Sequence, residues 1–212
     1  MPAYVEGVLL AAGESRRMGF PKPLLPINGK TYIAHLCDVL LAELPQLLVV
    51  IGAHAERVRP AIPRSPQLTV IENPNYALGQ LSSLKAAIAA VDPRAQAILV
   101  HLSDQPLIRP TTIAVLLKTY ASTNKPIIVA CYQGKRGHPV IFRRSVFGEL
   151  LHAPDAQGAR IVVAKSAQRV ACVQIDDPGI TTDLDSPDDL IRAGLNKPPF
   201  APTQTNSKHQ SN

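Results

Sequence analysis

The sequence predicts a three-layer α/β protein with a mostly parallel central sheet and helices on both faces. Two observations predict it. Short runs that are apolar throughout recur along the chain, and longer segments with helical periodicity separate them. Strands that are apolar on both sides belong to a parallel sheet buried between helices, since a half-solvated sheet alternates polar and apolar residues.

The elements follow in order. "YVEGVLL" (4–10) reads as the first strand. "TYIAHLCDVLLAEL" (31–44) reads as a helix, because Ile33, Leu36, Val39, Leu40 and Leu44 fall on one side at helical spacing. "LLVVIG" (47–52) and "LTVIEN" (68–73) are strands, "LSSLKAAIAAV" (81–91) a helix, and "AILVHLSD" (97–104) a fourth strand. A helix near 110–121 precedes strands at 126–131 and near 139–142. A shorter second part carries helices near 143–151 and 158–166, a strand at 170–175, and a last helix opened by Ser186, Pro187 and Asp189, an N-cap pattern. The polar, Pro-rich end (196–212) reads as a disordered tail.

Composition narrows the class. A chain of 212 residues with 46% hydrophobic and 18% charged residues suits one soluble domain with a sizeable core. Aromatics make up 4% and Trp is absent, which argues against base-stacking recognition of nucleic acid. The net charge of +6 is spread along the chain, as expected of a protein handling small polyanions. Neither a signal peptide nor the roughly 18 consecutive apolar residues of a membrane span is found, so a cytoplasmic protein with no nucleic-acid or membrane partner is expected. Cys37, Cys131 and Cys172 are far apart in sequence, which argues against zinc, against a disulfide framework, and for a reducing compartment.

Ligands of open α/β sheets bind beyond the carboxyl ends of the strands, which directs attention to the residues after Leu10, Asn73 and Leu102. After Leu10 come Ala11, Ala12 and Gly13, small enough to bare backbone N–H groups, then Arg16, Arg17 and Lys22 within seven positions. Arg17 and Lys22 suit phosphate oxygens, the first as a planar fork and the second as a point charge. A tight turn whose cations face water would read the same way. The stretch is neither GxxxxGK[ST] nor GxGxxG, so P-loop and standard dinucleotide turns are excluded.

After Leu102, Asp104 lies at the edge of a buried strand, where it would repel a phosphate ligand unless a divalent cation lay between; a plain turn cap before Pro106 is the alternative. "DDPGITTDLDSPDD" (176–189) packs six acids into fourteen positions. Asp188 and Asp189 fit the first helical turn, whereas Asp183 and Asp185, two apart on extended chain, could face one way as metal ligands. In "NPNYALGQLSSL" (73–84), Gln80, Ser82 and Ser83 offer amide and hydroxyl groups to a base or sugar, or merely cap a helix. In "GKRGHPVIF" (134–142), Lys135, Arg136 and His138 could meet an anionic second substrate or form a basic strand edge. The other histidines show no ligand spacing.

Taken together, "LAAGESRRMGFPKPLL" (10–25) resembles the LAAGxSxRMGxxKxLL signature of MobA-like molybdenum cofactor nucleotidyltransferases, and "SDQP" (103–106), "GHPVIF" (137–142) and "DLDSPDDL" (183–190) match that family's later motifs in order. The LAAG form is similar to the cytidylyltransferase branch. "PDAQGAR" (154–160) departs from that branch's GDxGAR, with Asp155 one place early and no Gly before it. The resemblance implies a Rossmann-like nucleotidyltransferase domain over 1–195, with a nucleotide-binding half (about 1–133) and an acceptor-binding half (134–195). It implies cytidylyl transfer from CTP to molybdopterin with Mg²⁺ or Mn²⁺, and a molybdenum hydroxylase or its maturation chaperone as receiver. On this reading Leu10, Ala11, Ala12, Gly13, Arg17, Lys22, Gln80, Ser82, Ser83 and Asp104 bind nucleotide. Arg17, Lys22 and Asp104 serve the reaction, Asp104, Asp185 and Asp183 hold metal, and Arg136 and His138 face the acceptor. Other phosphorylated acceptors, a nicotinamide-dependent oxidoreductase on the same fold, and a non-catalytic cofactor-delivery protein remain alternatives.

Overall fold

The structure, a computed structural model, describes residues 4–195; the expected tail at 196–212 lies outside the described residues. Seven strands form one sheet: β1 (Val5–Ala11), β4 (Leu47–Ile51), β5 (Leu68–Glu72), β6 (Ala97–Leu102), β7 (Ile127–Tyr132), β8 (Lys135–Arg143) and β9 (Val170–Gln174). A small hairpin, β2 (Pro26–Ile27) with β3 (Lys30–Thr31), lies outside it. The helices are α1 (Tyr32–Leu41), α2 (Ala55–Val58), α3 (Gln80–Ala90), α4 (Pro110–Ser122), α5 (Phe147–His152), α6 (Arg160–Ala164) and α7 (Pro187–Arg192).

The strand order is β5-β4-β1-β6-β8-β7-β9. All neighbours run parallel except β8, antiparallel to both β6 and β7. From β1 the chain steps outward to β4 and β5, then returns to place β6 on β1's other side. The strand order therefore reverses between β1 and β6, and a cleft opens at their carboxyl ends. Strand β1 is buried along its whole length, as its apolar residues Val5 and Val8 to Ala11 predict; Glu6 is tolerated because its Oε2 accepts the Asp92 N–H at 2.9 Å.

Two cores flank the sheet. One holds Leu9, Ile33, Leu36, Leu40, Ile113 and Leu116 beneath α1 and α4; the other holds Leu48, Leu81, Leu84, Ile98, Phe142 and Leu150 beneath α3 and α5. A third, smaller cluster joins Met18, Leu25, Ile27 and Tyr32 to Leu184 and Leu190. It fastens the basic loop after β1 to the acidic segment before α7, although more than 150 residues separate Met18 from Leu184 along the chain.

Three expectations need correcting. Strand β8 begins at Lys135, earlier than its apolar core near 139–142, because the polar residues 135–138 continue the pairing with β7 past a register shift. Helix α5 is shorter than expected because a 3₁₀ turn at Arg144–Val146 forms its start, and α6 begins only at Arg160, after Gly158 at φ +66. The expected absence of disulfides is overturned as well. Cys131 and Cys172, 41 residues apart, are bonded across the parallel pair β7–β9 with their Cα atoms 5.8 Å apart. Sequence spacing could not reveal a pairing made by neighbouring strands. Cys37 stays free and buried, and burial pushes its thiol up to about 12. Among the described residues no helix is long and apolar enough to cross a membrane.

Candidate active site

The cleft between β1 and β6 gathers most of the residues singled out from the sequence. Beyond β1 the chain turns sharply: Met18 and Gly19 N–H groups bond back to the Ser15 carbonyl, and the Lys22 N–H donates to Ser15 Oγ at 3.0 Å. Burial of Met18 holds this turn down. His54 braces it from outside, donating from Nε2 to the Glu14 carbonyl at 3.0 Å, while Arg57 stacks over Phe20 at 5.2 Å. A cavity of about 270 Å³ lies above the turn, lined by Leu10, Ala12, Gly13, Ser15, Lys22, Gln80, Ser83 and Asp104 among others. A side chain at Gly13 would meet nothing within 4 Å, so its backbone faces open space. Ala11, by contrast, packs into the core beneath the sheet. Glu14 lines the cavity and Arg16 pairs with it at 2.5 Å.

The cations and carboxylates meet beside this cavity, with Lys22 and Asp104 in its lining. Lys22 is 14% exposed, and its ammonium donates to Asp104 Oδ2 at 2.8 Å and Asp185 Oδ1 at 2.7 Å. Burial alone would lower the Lys22 pKa, but the charges and hydrogen bonds of Asp104 and Asp185 outweigh it and hold the ammonium above its ordinary value. Arg17, 75% exposed, pairs with the other oxygen of Asp185. The Leu184 N–H donates to the Asp104 carbonyl at 2.9 Å, locking the two acidic segments edge to edge. Leu184 itself points into the small cluster, so Asp183 and Asp185 both turn to the cleft. Asp183 accepts from Gln105 Nε2 at 2.7 Å; burial first, then the charges of Asp104 and Asp185, push its carboxyl upward.

The donor set suits a hard divalent cation. Asp104 Oδ1 is buried and has no hydrogen-bond partner, which is costly unless a ligand completes it. Among the described residues no three acidic, imidazole or thiol groups form a ready cage. Within the cleft, Asp183 is taken up by Gln105, whereas Asp104 and Asp185 have Lys22 and Arg17 as their side-chain partners. Magnesium needs only one or two such carboxylates when substrate phosphates supply the rest.

On the sheet's far side of the cleft, Gln80 and Ser83 reach the smaller cavity, whereas Ser82 is used inside its own loop. Its hydroxyl contacts the carbonyls of Asn75 (2.9 Å) and Gly79 (2.8 Å) and accepts from Asn73 Nδ2 at 2.9 Å. Asn73, buried and bonded also to Ser83 Oγ and the Asn75 N–H, is the residue that shapes this loop. Its place at a strand's carboxyl end was the available signal. Gly79 takes φ +106 to turn the chain into α3, a conformation that side chains disfavour.

A second cavity, about 930 Å³, adjoins the first and shares Leu10, Gly79, Gln80 and Leu102 with it. Its floor is apolar (Leu81, Val100, Val140, Phe142) and its rim carries Lys135, Arg136 and Arg160. His138 lies in its wall; burial lowers this imidazole to about 4 despite the opposing charge of Asp104. It is neutral at neutral pH, able to hydrogen-bond but adding no positive charge. The rim cations supply that.

A parallel sheet with a small-residue turn, paired cations and paired carboxylates at its strand reversal is the arrangement of a nucleotidyltransferase, and comparison with known proteins agrees. Residues 7–171 match the MobA-like NTP transferase domain, and the chain belongs to that family. It is 28% identical over 189 residues to the molybdenum cofactor cytidylyltransferase of Escherichia coli K12, covering 89% of this chain and 95% of that protein. It is 29% identical over 201 residues to nicotine blue oxidoreductase of Paenarthrobacter nicotinovorans, with the same coverage of 89% and 95%. Among solved structures, Rv0371c of Mycobacterium tuberculosis H37Rv superposes with a TM-score of 0.79 at 34% identity, covering 91% of this chain and 97% of that one. A further structure of Rv0371c is a complex with manganese.

Proposed function

We propose that the protein transfers a cytidylyl group from CTP to the phosphate of molybdopterin, releasing pyrophosphate. The observation that supports this best is the Lys22 ammonium held between Asp104 and Asp185 at the smaller cavity, which Lys22 and Asp104 line. An oxygen of the acceptor phosphate attacks the α-phosphorus of CTP, and the bond from that phosphorus to the bridging oxygen breaks as pyrophosphate leaves. The attacking phosphate is already ionised near neutral pH, so no general base is needed. What the reaction demands is alignment and neutralisation of charge.

The roles follow from position. Backbone N–H groups of residues 12–15 and the exposed Arg17 hold the triphosphate, and Lys22 neutralises charge on the transferring group. Asp104 and Asp185 would hold Mg²⁺ or Mn²⁺, which when bound screens these carboxylates from the triphosphate and withdraws charge from its oxygens. Gln80 and Ser83 meet the nucleoside. The larger cavity takes the acceptor, its apolar floor against the ring system and Arg136, Lys135 and Arg160 toward its phosphate.

Incubating the protein with Mg²⁺, molybdopterin and each nucleoside triphosphate in turn tests the reading. Pyrophosphate release with CTP alone is expected; failure of every nucleotide to release it would overturn the reading. The near-equal identity to an oxidoreductase supports a second reading, hydride transfer from a nicotinamide cofactor. That reaction has no use for paired carboxylates beside a phosphate site. Metal-independent consumption of NADPH would favour it.

A further inference from the structure

Lys85 stands outside the cation–carboxylate cluster, one turn beyond Leu81 on the cavity side of α3. A lysine on a partly solvated helix ordinarily waves in water. This one is held: its ammonium donates to the Ala153 carbonyl at 2.8 Å and forms an ion pair with Asp155 Oδ1 at 2.9 Å, a contact of charges outside hydrogen-bond geometry. Both acceptors belong to one segment, residues 153–160, which runs through the 3₁₀ turn at Asp155–Gln157 and Gly158 (φ +66) into α6. Asp155, Ala156, Gln157, Gly158, Ala159 and Arg160 together form one wall of the larger cavity.

Among the described residues that wall has no other polar tie to α3. Its helical pieces are three and five residues long, and it joins no strand of the sheet. Ala153 and Val162 reach the core and Ala159, Ile161 and Val163 pack against it, but among the described residues no other side chain from before residue 134 makes a hydrogen bond or ion pair with residues 153–164. Helix α3, in contrast, is packed along the sheet, and its first turn carries Gln80 and Ser83 into the smaller cavity. Through Lys85 one rigid helix touches the nucleotide pocket at its start and grips the wall of the neighbouring cavity a turn later. Short segments that join no sheet open locally at lower cost than the elements beside them, so such a grip sets their position.

We propose that Lys85 and Asp155 form a clasp that holds this wall in register with α3, making Lys85 a positioning residue for whatever occupies the larger cavity. The inference rests on the proposed function in taking that occupant as the acceptor. Losing the clasp leaves a half-buried carboxylate unpaired and lets the wall shift, so the acceptor phosphate is misaligned while the nucleotide pocket is intact.

The test compares the full-length wild type with Lys85→Ala, Lys85→Arg and Asp155→Asn by hydrogen–deuterium exchange and steady-state kinetics. Lys85→Ala is expected to speed exchange at residues 155–163 by about tenfold or more, the effect of losing one charge-assisted contact from a locally opening unit. The KM for molybdopterin should rise about tenfold or more, with that for CTP changed less than about twofold. Lys85→Arg should restore both, and Asp155→Asn, which leaves Lys85 in place, should reproduce part of each effect. Unchanged exchange in both Lys85→Ala and Asp155→Asn would overturn the clasp, as would an equal rise in both KM values. A wild type inactive with CTP and molybdopterin would defeat the functional reading, and the exchange comparison would still decide the clasp.

Discussion

The Lys22 ammonium sits 2.8 Å from Asp104 Oδ2, joining the loop after the first strand to the end of the strand beside it. Asp185 completes the contact from 2.7 Å. This cation is only slightly exposed and has two anionic partners in the free protein, so it is already oriented toward the point where phosphate charge would gather. Replacing it by Ala should cut turnover at least about a hundredfold, the usual cost of removing a donor aimed at transition-state charge. Asp104→Ala should do the same. Purified variants with native circular dichroism and near-normal turnover would refute the assignment.

Chelation should abolish activity, and Mg²⁺ or Mn²⁺ should restore it. Asp104→Asn and Asp185→Asn should each raise the metal concentration required by about tenfold or more, since each removes charge from a site with few protein ligands. Direct binding of Mn²⁺ in the presence of CTP, followed by electron paramagnetic resonance, separates weaker metal binding from slower chemistry. Unaltered Mn²⁺ affinity in both variants would remove these carboxylates from the metal site.

Asn73→Ala should raise the KM for nucleotide with little change in turnover. Its amide donates to Ser82 and Ser83 at 2.9 and 3.0 Å, and its side-chain carbonyl accepts the Asn75 N–H. With those gone, the loop that delivers Gln80 loses its shape, though no group touching the reacting phosphate is lost. A fall in turnover at saturating nucleotide, with KM unchanged, would place Asn73 in a different role.

Much of this was legible in the sequence because the sheet is built from local signals. Uninterrupted apolar runs mark β1, β4, β6 and β7, and the cations after β1 and the acid after β6 sit at strand ends, where topology alone makes them neighbours. The partnership of Lys22 with Asp185 was harder, since it depends on Met18 and Leu184 sharing a cluster that no periodicity announces. From sequence, Ser82 reads equally as a ligand group or a helix cap, because a hydroxyl at a helix start looks the same whether it faces substrate or its own loop. The Cys131–Cys172 bond and the Lys85–Asp155 pair arise from strand and helix neighbours far apart in sequence, and composition carries no trace of either.

His138 should remain neutral through the physiological range. Its folded pKa of about 4 lies below the 6.5 of an exposed imidazole. Between those values the unfolded chain binds a proton that the folded one refuses, so stability is full above pH 6.5 and is lost as pH falls toward 4. His101, fully buried and lowered to about 3, adds to the same slope. His138→Gln should therefore flatten part of the acid limb of stability, by up to about 3 kcal/mol between pH 7 and 4, read from denaturant midpoints. A ring resonance of His138 titrating near 6.5 would contradict this.

Gly137 opens the last test, because a Cβ there would lie 1.9 Å from the Ile180 carbonyl oxygen. That oxygen belongs to the 3₁₀ turn Pro178–Thr181, which leads into Asp183 and Asp185. The same turn is tied down by Asp177, whose buried carboxylate accepts from the Arg109 N–H at 3.0 Å and the Gly179 N–H at 3.0 Å. Backbone pressed between two such anchors cannot yield by a side-chain rotation, so Gly137→Ala must push the turn away from β8. The expected cost is about 2 kcal/mol or more in stability, as for other overpacked buried sites. Because the turn carries the acidic segment, Lys22 should also lose its hold on Asp185 and turnover should fall further than stability alone explains. Denaturant unfolding together with activity at a temperature where the variant is fully folded separates these effects. Unchanged stability would mean that β8 and the turn are not in contact as described, and normal turnover in a destabilised variant would show that the carboxylates keep their place without it.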